Sequence, residues 1–321
     1  MESGKPFQSK LKPHADEIFE WLEVQKKSFR EVAALLMDRH GLAVSHNAVH
    51  SFAKRRRGRR AKLFYEGLPP FAREKLLRKI AAEWTHNSTA LEGNTLTLGD
   101  TIKVLELGLT ISGKPLREHL EVHGHARAID LVYRMLEKPV IDEQDVFDLH
   151  RAVMPPVMDI HNPIGAWKRE PNGTHGEANG RSVFMEYAAP GDVPALMSRW
   201  ISEFNKAVNR ARGAEGVLDA YARAHAGFAR IHPFYDGNGR VARLVANIPV
   251  LRAGWPPILV SPRRRGAYIS LLWRYQNAVG RIAFGAPLVP RHAALGEFKE
   301  FLRGEWNPTL RLVEKARESV S

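Results

Sequence analysis

The segment "ARIHPFYDGNGRVARLV", Ala229 to Val245, packs an unusual amount of chemistry into a short length. Gly237 and Gly239 allow the backbone to approach a ligand closely, and Asn238 between them tolerates unusual dihedrals. Pro233 ends the helix before it, and a new helix is predicted to start near Gly239. The free N–H groups of that start, together with the positive helix end, would converge on one concavity, an anion site. Arg240 and Arg243 are three apart, so they share a helix face and can both reach the anion. Asp236 adds a hard oxygen of the kind that a phosphate-bound Mg²⁺ takes. His232 sits at the rim with a side chain suited to proton transfer at neutral pH. A capped structural turn would need only the aspartate. The full set describes phosphoryl or nucleotidyl transfer, with a nucleotide as substrate.

These residues need a scaffold, and the flanking sequence predicts a helical one. "FAREKLLRKIAAEW", "REHLEVHGHARAIDLVYRML", "EQDVFDLHRAVM", "DVPALMSRWISEFNKAV", "LDAYARAHAGFARI" and "GRVARLVANIPVLRAG" all carry apolar residues at three-to-four-residue spacing. Residues 165–187 differ, with Asn172-Gly173 and Asn179-Gly180 beside short apolar or aromatic runs. That pattern predicts a β-hairpin. The expected fold is therefore mainly α, a helical bundle carrying one hairpin. Gly67, Pro69 and Pro70 mark a boundary near residue 62.

"HPFYDGNGRVAR" resembles the Fic motif, HxFx(D/E)GNGRxxR, at every defining position. The resemblance runs from about Phe71 to Phe301 and includes "DLHRAVM" and "YAAPGDVPALMSRWISEFN". It implies a mainly helical enzyme that transfers AMP from ATP to a hydroxyl side chain of a protein, releasing pyrophosphate. In that family His232 would be the base, Phe234 a loop anchor and Asp236 the Mg²⁺ ligand. Gly237, Asn238 and Gly239 would cradle phosphate, Arg240 would bind the β-phosphate and Arg243 the γ-phosphate. The hairpin would be the flap that aligns the target segment by strand addition. Tyr268 is expected at the adenine pocket. "NSTALEGNTLTL" is similar to the family's inhibitory helix motif, with Ser88, Glu92 and Gly93 filling its positions. There the glutamate would pair with Arg243. Removal of AMP, and nucleotide sensing without catalysis, stay open beside AMP transfer.

The start of the chain reads differently. Residues 1–62 hold 14 Lys+Arg against 7 Asp+Glu, a large part of the net charge of +13. Ser28 with Glu31 predicts a capping box, Gly41 a helix stop, and Ser45 a second cap. Val32, Leu35, Leu36, Val49, Phe52 and Ala53 would face inward with an earlier helix, "DEIFEWLEV". This small trihelical domain resembles a helix-turn-helix. Its second helix would present His46, Asn47, His50, Ser51 and Lys54 to a DNA groove. Arg55, Arg56, Arg57 and the basic residues that follow would neutralise phosphates. A helical protein-binding module with a solvated basic tail is the alternative. The domains expected are thus 1–62 (DNA-binding), 63–110 (linker and inhibitory helix), 111–303 (catalytic) and 304–321 (helical tail).

The remaining composition bounds this reading. The 321 residues are 44% hydrophobic, with no cysteine, so disulfides, thiolate chemistry and cysteine-based zinc sites are excluded. A cytoplasmic location is expected, with no membrane partner, since no stretch approaches about 18 consecutive apolar residues. ATP, a protein target and DNA are the expected partners, and a homodimer is compatible. His119, His123 and His125 are close in sequence, but polar helix histidines explain them more simply than a metal.

Overall fold

Local signals begin several helices of the computed structural model, which describes residues 10–11, 13–57, 62–155, 163–178, 181–282 and 284–320. The chain divides into two units. One comprises Met1–Ala61 with Lys138–Asp142, the other Lys62–Glu137 with Glu143–Ser321.

In the first unit, α1 (Ala15–Phe19) continues into a π-type turn over Glu20–Val24. Helix α2 (Phe29–His40) starts at the expected capping box. Ser28 Oγ accepts from Glu31 N at 3.3 Å, and Glu31 Oε2 accepts from Ser28 N at 2.6 Å. Such caps contribute about 1 kcal/mol. Gly41 ends the helix in the left-handed region, with φ 61°. Ser45 Oγ then accepts from Ala48 N at 3.1 Å, opening α3 (His46–Arg57). Ile18, Trp21, Val32, Leu36, Val49, Phe52 and Ala53 close the core, and Leu35 packs on it half-buried. The inward face read from the sequence is therefore the inward face observed. The basic run continues past Arg57 into residues 58–61, outside the described residues.

The second unit carries α4 (Pro70–Ala90), α5 (Leu98–Leu107), α6 (Leu116–Met135), α7 (Glu143–Val153), β1 (Gly173–Ala178), β2 (Arg181–Glu186), α8 (Val193–Arg210), α9 (Gly213–Ile231), α10 (Asn238–Arg252), α11 (Arg265–Val279) and α12 (Ala293–Glu318). Helix α10 is the axis of this bundle. It packs against α9, α6, α7, α8 and α4, and every residue from Arg240 to Leu251 is buried. Burying side chains such as Leu244 and Ile248 contributes about 1.5–3 kcal/mol each. Asn247 stitches the segment after α10 onto it, donating to Arg243 O and Ile258 O and accepting from Ile258 N at 2.7 Å. Trp200 Nε1 ties α8 to α9 through Ala224 O at 3.1 Å.

Strands β1 and β2 form the expected antiparallel hairpin, registered Gly173↔Glu186 to Ala178↔Arg181. The connecting Asn179-Gly180 pair lies outside the described residues. Gly176 has a steric role. A Cβ there would stand 1.8 Å from Trp273 Nε1, so glycine lets the α11 indole lie against the strand. Helix α12 runs unbroken across residue 303, so the region expected to be a separate tail continues the last helix of the bundle.

Candidate active site

The loop between α9 and α10 is held from several directions. Helix α9 ends where His232 takes a left-handed φ of 51°, unusual for a residue with a side chain. Phe234 is fully buried, stacked on His150 at 3.7 Å between centroids and packed beside Trp167 and Phe228. Asn238 clasps the same residue with both ends of its amide: Oδ1 accepts from Phe234 N at 2.9 Å and Nδ2 donates to Phe234 O at 2.7 Å. Asn172, just before the hairpin, also donates to Phe234 O, at 3.0 Å. His150 Nδ1 accepts from Gly165 N at 2.8 Å. Its proton therefore sits on Nε2, which donates to Asp236 O at 3.1 Å. Burial pushes the His150 imidazole down to about 4, keeping it neutral for this role.

The loop delivers the chain to α10 as the sequence predicted, with helix geometry starting at Asn238 and Gly237 at φ 77°. A Cβ on Gly237 would meet Met154 Sδ at 2.9 Å, and one on Gly239 would meet Glu92 Oε1 at 2.4 Å. Asp236 is partly exposed beside this helix start. Its Oδ1 accepts from Gly237 N at 2.5 Å, and its Oδ2 lies 3.4 Å from Arg240 Nη2. One oxygen anchored on the backbone and the other beside Arg240 on a partly exposed carboxylate is a donor set that fits a Mg²⁺ sharing its coordination with phosphates. Arg240 is buried and donates to Val153 O at 3.1 Å, at the end of α7.

Arg243 points the other way, to the end of α4. Its Nη2 is 2.6 Å from Glu92 Oε1 and 2.9 Å from Ser88 O, and its Nε donates to Ser88 Oγ at 3.1 Å. Nη1 donates to the Tyr268 hydroxyl at 3.3 Å, and that hydroxyl lies 2.8 Å from His225 Nε2. Burial opposes the charge on Arg243, but Glu92 and Tyr268 outweigh it and raise its pKa. Burial, with Arg243 nearby, pushes His225 down to about 3, so it stays a neutral acceptor. Gly93 follows Glu92 with φ 101°, turning the chain out of the helix end. Tyr268, expected near adenine, is buried and engaged in this arginine network.

The His232 ring stacks on Tyr187, with centroids 3.8 Å apart and planes within 2°. Its Nδ1 lies 3.3 Å from Ala229 O, which favours the proton on Nδ1 and leaves Nε2 basic. Burial and the nearby Lys168 push its pKa down to about 4. Lys168 is itself pushed down to about 8, by burial and by Arg281. Its amide donates to Pro233 O at 2.9 Å, and its Nζ lies 2.5 Å from Asn172 Oδ1.

The structure thus brings His232, Asp236, Gly237, Asn238, Gly239, Arg240 and Arg243 to one helix start, and Ser88 and Glu92 to the same place. Sequence reasoning missed His150, Lys168, Tyr187 and His225. "DLHRAVM" was visible as part of a resemblance, but nothing local marks His150 as the support of a loop 86 residues away. His119, weighed as a metal ligand, accepts from Ile111 N at 2.8 Å and places Nδ1 3.0 Å from Pro115 O, so the backbone engages both ring nitrogens.

A helical bundle, a hairpin, and a His-Pro-Phe loop feeding a glycine-rich helix start define the Fic class of domains. Residues 140–249 match the sequence model of the Fic/DOC family. The protein adenylyltransferase Fic of Drosophila willistoni is 33% identical over 192 residues, covering 58% of this chain and 35% of that protein. The chain therefore spans about a third of the length of the curated relatives it matches. Among solved structures, a Fic domain containing signaling protein from Bacteroides thetaiotaomicron aligns with TM-score 0.67 and 24% identity, over 83% of this chain and 96% of that one. Fic-1 from C. elegans aligns with TM-score 0.58 and 24% identity, over 86% of this chain and 75% of that one. Both likenesses concern the fold.

Proposed function

We propose that this chain is a self-inhibited protein adenylyltransferase that moves AMP from ATP to a Ser, Thr or Tyr hydroxyl of a protein, itself included. The observation that carries the reading is the Glu92 carboxylate, seated against Gly239 at the start of α10 and 2.6 Å from Arg243. A negative side chain there competes with a phosphate for the helix end and for the arginine. In the active state Arg243 turns to the γ-phosphate and Arg240 to the β-phosphate, with the backbone of Gly237–Gly239 as cradle. Neutral His232 accepts the proton of the target hydroxyl at Nε2. The hydroxyl oxygen bonds to the α-phosphorus, the bond to the β-bridging oxygen breaks, and pyrophosphate leaves with that electron pair. Mg²⁺ held by Asp236 would neutralise charge on the phosphates. Exposed backbone of the hairpin would align the target segment, as edge strands do. Self-labelling with radiolabelled ATP and Mg²⁺, compared between wild type and Glu92→Gly, tests the whole reading.

For the first unit we propose duplex DNA binding. The supporting observation is that His46, Asn47, His50 and Ser51 all lie exposed on α3, while Val49 and Phe52 are buried beneath them. That side, with Lys54, would enter the groove, and Arg55, Arg56 and Arg57 would contribute phosphate contacts. Affinity should fall steeply with salt, by about 0.9 in log–log slope for each phosphate neutralised. Replacing Arg55, Arg56 and Arg57 by glutamine should flatten that slope. A full chain without measurable DNA affinity at low salt refutes this part.

A further inference from the structure

The first unit holds a side-chain cluster that neither reading uses. His14 precedes α1, Glu17 lies in its first turn, and His40 is the last residue of α2. They offer two imidazole nitrogens and a carboxylate oxygen, all within 4.8 Å of one another. His40 Nε2 is 2.5 Å from Glu17 Oε2. The rings of His14 and His40 have centroids 4.1 Å apart, inclined at 37°. Arg39 Nη1 stands 3.5 Å from Glu17 Oε1, leaving Oε2 to His40.

We propose that His14, Glu17 and His40 form a binding site for a divalent transition-metal ion of the zinc type. Two imidazoles and one carboxylate suit such ions, whereas Ca²⁺ and Mg²⁺ take oxygen donors. With ligand bonds of about 2.0–2.2 Å, two donors on one tetrahedral ion stand roughly 3.3–3.6 Å apart. The spacing closes with about an ångström of side-chain rotation, and His14 and Glu17 are only half-buried while His40 is exposed. The ion takes the place of the hydrogen bond between His40 and Glu17. Arg39, on the outer carboxylate oxygen, is the kind of partner that orients a ligating carboxylate. The ion would tie the start of α1 to the end of α2. A small unit in a chain without cysteine has no disulfide to do this.

Calorimetric titration of the full chain with Zn²⁺, and with Co²⁺ followed by visible absorption, tests the site. The expected result is one tight ion per chain and a higher melting temperature for the first unit. His14→Gln and His40→Gln should each lower Zn²⁺ affinity more than about 10-fold. Glu17→Gln keeps the side-chain volume and a hydrogen bond to His40, so the fold is retained, and it should weaken Zn²⁺ as well. Failure to bind Zn²⁺ stoichiometrically overturns the proposal. So does binding that survives all three substitutions, and its loss in a His46→Gln, His50→Gln variant would move the ion to the exposed pair on α3.

Discussion

On the proposed reading, removing the Glu92 carboxylate should release AMP transfer, and the structure sets the scale. At about 4 Å and an effective dielectric near 20, two unit charges attract by about 4 kcal/mol. Here the arginine side chain is 4% exposed but the carboxylate is 37% exposed. Solvent screening of the exposed partner brings the usable share down to about 1–2 kcal/mol, or roughly 5–30-fold in the availability of Arg243. A second effect adds to it. With Arg243 engaged and Glu92 against Gly239, ATP phosphates must settle elsewhere, and such misplacement can slow reaction on the order of 10²-fold. Glu92→Gly should therefore raise self-labelling by at least roughly 5-fold, and beyond about 10²-fold where both effects act in full, with a smaller change in ATP affinity. Glu92→Gln separates the two effects, because it removes the charge but keeps the bulk at Gly239, and it should give an intermediate gain. Arg243→Ala should give none, since the proposed γ-phosphate contact is lost along with the Glu92 pair. The reasoning fails if Glu92→Gly labels itself no faster than wild type, or if a Glu92→Gly, His232→Ala double variant keeps the gain.

Three further outcomes are expected. His232→Ala should reduce transfer by about 10²–10⁴-fold while ATP binding by calorimetry stays near wild type, because the proposed phosphate contacts lie on α10; near-normal labelling refutes the assignment. His125, His150 and His225 are pushed down to about 3, 4 and 3, mainly by burial. Below about pH 6.5 the unfolded chain therefore takes up protons that the folded one refuses, and stability should fall with pH until these folded values are reached, by up to about 1.4 kcal/mol per pH unit for each histidine. Urea midpoints measured between neutral pH and pH 4 report this, and a flat profile contradicts it. Gly176→Ala forces its new methyl into Trp273. It should shift tryptophan fluorescence and destabilise by about 1–3 kcal/mol, whereas Ala at exposed Glu177 should do neither.

The parts that were legible in the sequence are those encoded within a turn or two of chain. Ser28 and Glu31 are three residues apart, so their capping box could be read directly, as could the helix start at Asn238. The hairpin followed from its Asn-Gly pairs. The ion pair between Glu92 and Arg243 spans 151 residues, and only the resemblance joined its two ends. His150, Lys168 and Tyr187 have no such aid. Each acts through a contact made after the bundle closes: the stack on Phe234, the backbone hydrogen bond to Pro233 O, the ring over His232. A histidine on a helix and a tyrosine after a strand look ordinary until the fold places another ring beside them.

The Asn238 clasp also bears on how the protein ages. Asn-Gly pairs are the sites where a chain loses side-chain ammonia most readily, when the following nitrogen attacks the side-chain carbonyl. At Asn238 both amide atoms are bonded to Phe234 and the following nitrogen belongs to a helix, so the carbonyl cannot swing into line for attack while the loop stays shut. The product would be an aspartate with one oxygen pressed against the Phe234 carbonyl, where a donor had been, and the loop could not close on it again. The bonds that shape the proposed phosphate cradle therefore also protect it chemically, and conversion at residue 238 would record how often the loop opens over the lifetime of the molecule.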